Sequence, residues 1–324
     1  MDQQALQTTS NPGAVQLYKT REDALQIVDA FIAQQPGKDS TRYTYRRSLN
    51  QFIAWVYDTG RNLDKLTKAD VVAYLAYLLP DEVDAAHKSA LTASSYFTAV
   101  KLFYKWAADN LAYPNIAAGV PLPRRAKVFR KEALTPEEAH ALLDEVEATA
   151  TTRDTAIVNL LLRNGLRTIE VTRANVEDLQ TKAGRTILYV QGKGHNEKDT
   201  PVVISPKCKA ALTAYLDTRP TAKGHEPLFT CTSHNNQDGR LTTRTISGLV
   251  KQHLRAIGID DRAYTAHSLR HTCACSLLDA TGDLEAVRGV LRHSSVNTTR
   301  IYTYHIEERR RLAEAPELCL DNVY

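Results

Sequence analysis

Apolar residues in the first third of the chain recur every three or four positions in four separate segments. This spacing places them on one face of an α-helix. Pro36 ends the first segment, Thr67 is suited to cap the third, and Pro80 ends that one. Four helices in about 100 residues predict a small all-α domain, which we place at residues 21–120. Residues 1–20 are polar and predict a flexible leader.

The pattern changes in the second part of the chain. Thr135, followed by Pro136 and two glutamates, has the form of a capping box with proline in the first turn. Two segments with β-branched residues, 186–190 and 200–204, flank a polar Gly-Lys-Gly sequence and predict a β-hairpin. Helical spacing returns near residues 205–218, 243–257, 268–280 and 283–291. We therefore predict a mainly α fold with a small β-sheet, in which the all-α domain precedes a mixed α/β domain at residues 133–305.

A short segment between the two domains, residues 121–132, combines prolines with cations. Pro121 and Pro123 favour an extended chain. A solvated connector is one interpretation of the cations. The other is a strap that lies against DNA phosphates, so we predict these side chains as DNA-binding residues. The cations are Arg124, Arg125, Lys127, Arg130 and Lys131.

The overall composition narrows the class of protein. A chain of 324 residues, 43% hydrophobic and 24% charged, is long enough for two domains with cores of their own. Its net charge of +4 gives weak support for a polyanionic partner. No apolar run reaches about 18 residues and no secretory signal opens the chain, so neither a membrane span nor secretion is predicted. The five cysteines are odd in number and lack zinc-ligand spacing, so we expect reduced thiols in a cytoplasm.

Three clusters of polar residues in the second domain contain the side chains that could carry chemistry. Taken singly, each has an ordinary structural interpretation. An arginine after a Gly-Leu turn fits a solvated helix end, and a histidine and an arginine three residues apart share a helix face. Most of the fifteen tyrosines must pack in the core or lie on the surface. The clusters are residues 164–170, 266–272 and 291–304.

Together and in this order, the clusters and the hairpin resemble the tyrosine recombinase (phage integrase) family. Its signature is an arginine, a lysine on a β-hairpin, a His-x-x-Arg motif, a second histidine and a tyrosine. The nine-residue step from His293 to Tyr302 is the family's usual one. The resemblance spans residues 133–305, and the all-α region is similar, less specifically, to the family's core-binding domain. The matching positions are Arg167, Lys193, His267, Arg270, His293 and Tyr302.

The resemblance implies that the chain cuts and rejoins DNA through a 3′-phosphotyrosine and a Holliday junction, without a metal or other cofactor. Two guanidiniums, those of Arg167 and Arg270, would hold the scissile phosphate. A tyrosine hydroxyl has a pKa of about 10, so Tyr302 needs a nearby base or cations, and His267 is our candidate for that help. Lys193 would protonate the departing 5′-oxygen, and His293 would support the transition state. The division of acid and base roles between the two histidines stays open.

Two of the matching positions have a nearby residue of the same type that could take the same role. Tyr304 lies two residues past Tyr302, and Lys198 lies in the same hairpin as Lys193. The family spacing and the Gly-Lys-Gly setting favour Tyr302 and Lys193. Arg292 stands where the family often has glycine, which puts the local turn in question.

Two further groups in these clusters allow alternative interpretations. Glu170 matches an acidic position that supports Arg167, or it is a plain helix carboxylate. A metal site could be imagined from nearby histidines and cysteines. We expect none, because Cys273 and Cys275 are two residues apart on a predicted helix and face different sides. The imagined ligands are His267, His271, Cys273, Cys275 and His293.

The resemblance also implies partners. We expect double-stranded DNA with inverted-repeat recombination sites, bound by a homotetramer or by a hetero-tetramer with a related recombinase, and therefore a protein associated with the nucleoid. The short leader favours a two-domain, Xer-like member, and the C-terminal tail, residues 306–324, would dock on a neighbouring protomer. The rival functions are a type IB topoisomerase that only relaxes DNA and a DNA-binding protein of the same fold without catalysis.

Overall fold

The structure is a computed structural model. It describes residues 20–79, 88–111, 113–123, 132–192, 197–232 and 237–293, and residues 299, 302, 303, 307, 311, 315, 317 and 318. The chain divides into two compact units, Met1–Val128 and Phe129–Tyr324. All of the leader predicted at residues 1–20 except Thr20, and all five cations of the predicted linker, lie outside the described residues.

The first unit is helical, as the hydrophobic pattern predicts. Helix α1 begins with a capping box, in which the backbone N–H of Asp23 donates to Thr20 Oγ1 at 3.2 Å and the N–H of Thr20 donates to the Asp23 carboxylate at 3.0 Å. The core is rich in aromatic rings, and the ring of Phe52 meets the edges of Tyr74 and Tyr104 at centroid distances of 4.8 and 6.0 Å. The helices are α1 (Arg21–Gln34), α2 (Asp39–Asp58), α3 (Lys68–Leu78) and α4 (Ala90–Asn110).

The second unit packs helices around a three-stranded antiparallel sheet in the order β1-β2-β3. The predicted hairpin is confirmed as β2 and β3, with Val190 opposite Thr200. Strand β1, by contrast, has no sequence signal, because its side chains are mostly exposed and show no apolar alternation. The elements are α5 (Pro136–Thr149), α6 (Thr152–Arg163), α7 (Thr168–Arg173), β1 (Leu179–Lys182), β2 (Arg185–Val190), β3 (Thr200–Val203), α8 (Pro206–Leu216), α9 (Thr243–Ala256), α10 (Ala266–Thr281) and α11 (Leu284–Leu291). The predicted fold class is thus confirmed.

The apolar core of the second unit lies between its helices and one face of the sheet. Helix α6 is the centre of this core, because Leu160 and Leu161 are completely buried and neighbours on both sides pack against them. None of the helices in the described ranges is long and apolar enough to cross a membrane.

Candidate active site

Helix α10 carries two of the predicted site residues on one face. It begins after Thr265, whose backbone N–H donates to Ser268 Oγ at 3.0 Å. Residues three apart on a helix share a face, so His267 lies near Arg270. His267 is exposed in the first turn, whereas Arg270 is only 1% exposed. A guanidinium is rarely buried so completely without a structural or functional reason.

The buried guanidinium of Arg270 joins two other segments of the second unit. It donates hydrogen bonds to the backbone carbonyls of Gly165 and Leu291. Burial and the nearby cation of Arg167 lower the pKa of Arg270 to about 10. This pKa is still well above 7, so the side chain stays positively charged and can bind an anion.

The turn between α6 and α7 places Arg167 next to Arg270. Gly165 adopts a left-handed conformation with φ of +57°, and a β-carbon there would lie 2.8 Å from Leu291 Cδ2. The backbone therefore favours glycine, and a larger residue would also have to displace the side chain of Leu291. Arg167 then caps α7, and its backbone N–H donates to Glu170 Oε2 at 2.8 Å. Its guanidinium donates to Glu170 Oε1, also at 2.8 Å.

Three arginines surround the carboxylate of Glu170, whose side chain is fully buried. Besides Arg167, Arg292 Nη2 lies 2.8 Å from Oε2, and Arg270 Nη1 lies 4.0 Å from the same oxygen. Burial alone would raise the pKa of Glu170, but Arg292, the backbone N–H of Arg167 and the other two guanidiniums outweigh it and lower that pKa. Glu170 is thus an ionised support of Arg167 and not a plain helix carboxylate.

Arg292 ends α11 in the left-handed conformation, with φ of 55° and ψ of 48°. Because an L-residue there costs about 1 kcal/mol more than glycine, this geometry explains why glycine suits the position. The turn questioned from the sequence therefore forms with arginine in place. The ion pair with Glu170 offsets the backbone cost.

Tyr302 lies in helical backbone, with its ring buried against α10 and α11. The ring stacks on His293 at a centroid distance of 6.1 Å and meets His271 edge-on at 5.2 Å. Burial raises the pKa of Tyr302 to about 12, although Arg270 and Arg167 act to lower it. The hydroxyl is therefore protonated at neutral pH and needs a proton acceptor before it can attack.

His293 is held in its neutral form. Burial and the cations of Arg270, Arg167 and Arg292 lower its pKa to about 4. Its Nδ1 atom lies 3.0 Å from Thr299 Oγ1. When the Thr299 hydroxyl donates to Nδ1, the hydrogen of the neutral ring is on Nε2, which is then a donor.

His271 connects the exposed and buried parts of the cluster. Its ring lies between those of His267, at 4.9 Å, and Tyr302, at 5.2 Å. His267 and Arg167 also line a cleft of about 260 Å³, together with Thr168 and Ser247. The Arg167 side chain, which lines this cleft, is 20% exposed.

The structure brings five of the six predicted side chains into one region. The sixth, Lys193, is in the β2–β3 connection and lies outside the described residues. Lys198 is described, and its Nζ is 2.6 Å from Asp178 Oδ2. Within the described ranges, no three His, Cys, Asp or Glu side chains are grouped as metal ligands.

Sequence and structure comparisons relate the chain to DNA recombinases. The phage integrase family matches residues 132–309, and the phage integrase N-terminal SAM-like domain matches residues 25–112. The tyrosine recombinase XerC of Rhodospirillum centenum is 33% identical over 87% of this chain and 82% of its own length. The tyrosine recombinase XerD of Pseudomonas aeruginosa is 29% identical over 88% of this chain and 93% of its own length.

Two solved structures share the fold at low sequence identity. The XerH recombinase bound to palindromic difH in a post-cleavage complex has a TM-score of 0.73 and 17% identity, and the match covers 93% of this chain and 97% of XerH. A lambda integrase tetramer bound to a Holliday junction has a TM-score of 0.64 and 16% identity, covering 86% of this chain and 76% of the integrase.

Proposed function

This chain belongs to the phage integrase family and is a tyrosine-type site-specific recombinase, and we propose that it cuts and rejoins DNA through a covalent bond to Tyr302. The observation that carries this assignment is the buried cluster in which Glu170 holds Arg167 near Arg270, with the ring of Tyr302 against the same helices. Arg270 and Tyr302 are far in sequence from the Arg167–Glu170 pair, and a site with several guanidiniums around one carboxylate keeps an excess of positive charge for an anionic substrate.

In the proposed reaction, Arg167 and Arg270 bind the non-bridging oxygens of the scissile phosphate. The Tyr302 oxygen attacks phosphorus, the bond to the 5′-oxygen breaks, and that oxygen leaves as a 5′-hydroxyl after it gains a proton. The guanidiniums stabilise the negative charge that builds up at phosphorus. The new phosphotyrosine ester retains the bond's free energy, so a second DNA 5′-hydroxyl can reverse the attack without ATP.

Proton transfers are assigned to the remaining site residues. His267 is our candidate to take the Tyr302 proton, since a hydroxyl with a pKa of about 12 is a poor nucleophile until a base assists it. His293 is neutral, and with the Thr299 hydroxyl donating to Nδ1 its Nε2 would donate a hydrogen bond to the phosphate. Lys193 would protonate the leaving oxygen, and the 2.6 Å ion pair of Lys198 with Asp178 favours Lys193 over Lys198 for this task.

We expect the protein to form a covalent adduct with nicked suicide DNA in excess EDTA, at a rate within about twofold of that without chelator. The arginines and Lys193 supply the electrostatic stabilisation that a metal would otherwise give. The adduct is measured as a protein–DNA band resistant to denaturant. Complete loss of the band, restored by a divalent ion, would contradict the proposed chemistry.

The rival functions are not favoured, because the similar proteins are recombinases. Supercoiled plasmids with two sites separate the three activities. A recombinase exchanges the sites, a topoisomerase only relaxes the plasmid, and a binding protein forms no covalent adduct.

For partners, we propose double-stranded DNA with inverted repeats, bound in the cytoplasm by a tetramer of this chain or of this chain and a related recombinase. The five cations at residues 124–131 would contact DNA phosphates. Changing them to glutamine should reduce the slope of log affinity against log salt, because each phosphate contact releases counterions. Fluorescence anisotropy at several salt concentrations measures the slope. An unchanged slope would favour a solvated connector.

We further propose that the C-terminal tail docks on a neighbouring protomer. The second unit has an apolar groove of about 980 Å³ between α5, α6, α10, α11 and the hairpin. Val203 and Val290 line it and are 51% and 41% exposed. Leu318 of the tail is 67% exposed, and an exposed apolar groove favours an apolar occupant.

Deleting residues 313–324 should leave binding to one site within about twofold but weaken the assembly of four protomers on two sites by tenfold or more. Head-to-tail contacts close a ring, so their loss acts on assembly and not on the single complex. Gel shift and sizing of paired-site complexes measure both steps. Normal recombination by the truncated protein would mean that the tail packs within its own protomer.

A further inference from the structure

Arg292 has an unfavourable backbone for a residue with a side chain. It lies between the last turn of α11 and His293, at a φ of 55° where glycine is preferred. An arginine at such a turn could extend into solvent and contribute nothing. Instead its side chain is only 9% exposed and points into the cluster described above.

Two of the three hydrogen bonds described for Arg292 reach the Gly165–Glu170 segment, and the third returns to its own helix at the surface. Nη2 donates to Glu170 Oε2 at 2.8 Å and to the carbonyl oxygen of Gly165 at 3.2 Å, and Nη1 donates to the carbonyl of Val290 at 2.6 Å. The side chain thus links the start of the segment that leads to Tyr302 with the turn that carries Arg167.

The two oxygens of Glu170 have different partners. Oε2 receives Arg292 and the backbone N–H of Arg167, whereas Oε1 receives the Arg167 guanidinium. Arg270 lies at 4.0 Å, beyond hydrogen-bond distance. Without Arg292, the Arg167 side chain would therefore be the nearest cation to both oxygens and could turn away from the cleft toward Oε2.

We infer that Arg292 is a positioning residue for DNA cleavage: it occupies Glu170 Oε2, so that Oε1 alone orients the Arg167 guanidinium, and it fixes the start of the Tyr302 segment. The inference rests on the proposed function, in which Arg167 holds the scissile phosphate. Arg292 itself need not touch the DNA. It acts through Glu170.

The test compares Arg292→Gly with the unchanged protein in single-turnover cleavage of nicked suicide DNA. Glycine relieves the left-handed turn and Glu170 keeps its two bonds to Arg167, so this variant should still fold, which its melting temperature checks. We expect the cleavage rate at saturating protein to fall by about 10- to 100-fold, with DNA affinity within about twofold, because a misplaced phosphate ligand slows chemistry more than binding. Arg292→Lys, which keeps a cation but not the planar fork, should restore part of the rate.

Arg288→Gln is the matched control. Arg288 is on the same helix and pairs with the exposed Glu285 at 2.7 Å, away from Glu170. This variant also removes one positive charge and should cleave at the unchanged rate. Equal losses in both variants would mean a general charge effect and would overturn the inference.

A double-mutant cycle with Arg167→Lys distinguishes positioning from a merely structural role. If Arg292 acts through Arg167, Arg292→Gly should slow cleavage by less than about threefold once Arg167 is already lysine. Additive losses would overturn the inference. It would also be overturned if the wild-type protein forms the adduct and the Arg292→Gly protein cleaves at the same rate as the wild type. An unchanged protein that forms no adduct at all would contradict the proposed function as well.

Discussion

Phenylalanine in place of Tyr302 should abolish DNA cleavage, with a loss of at least about 10⁴-fold, while DNA affinity stays within about twofold. The change removes only the hydroxyl oxygen that attacks phosphorus. The ring that stacks on His293 and contacts His271 is retained, so the buried packing of α10 and α11 is preserved. The free energy of unfolding should therefore change by no more than about 1 kcal/mol.

The measurement is the covalent adduct trapped on nicked suicide DNA, with binding followed by gel shift on the same substrate. Tyr304→Phe is the matched control, because it removes a hydroxyl two residues away and should leave the adduct intact. Tyr304 lies outside the described residues. An adduct that persists in Tyr302→Phe and is lost in Tyr304→Phe would show that Tyr304 is the nucleophile.

Arg270→Lys should be the next most damaging change, with a fall in cleavage rate of about 10² to 10³-fold. Lysine keeps the charge but lacks the planar fork of donors that reaches the carbonyls of Gly165 and Leu291. At least one of these carbonyls should lose its donor, which we expect to cost about 1–3 kcal/mol of stability. The ammonium would also fail to bind a phosphate bidentately.

Arg219→Lys provides a control for the structural part of that effect. Arg219 also donates to two backbone carbonyls, those of Pro227 and Leu228, both at 3.0 Å, but it is not part of the candidate site. It should lower stability in urea unfolding without changing the single-turnover cleavage rate of the folded protein. A similar loss of cleavage in both variants would show that Arg270 acts only through stability.

The local rules of helix and hairpin formation were sufficient for most of the fold. The capping sequence at Thr135 begins α5 as expected, and the β-branched segments form β2 and β3. Strand β1 was not predicted, because it is short and its side chains are exposed. Its extended backbone is stabilised by pairing with β2 and not by the β-propensity of its own residues. The sequence also left the turn at Arg292 in question, because a sequence does not show which ion pair offsets a strained backbone.

The sequence by itself determined the order of the elements and the kinds of side chain that the chemistry needs, because helical periodicity, capping residues and motif spacing are local properties. Only the tertiary structure decided how those side chains meet. Gly165 lets the α6–α7 turn approach Leu291, and Glu170 becomes an ionised centre because guanidiniums from three separate segments converge on it. Burial of Tyr302 and His293 then moves their pKa values in opposite directions, an effect of packing that no local pattern contains.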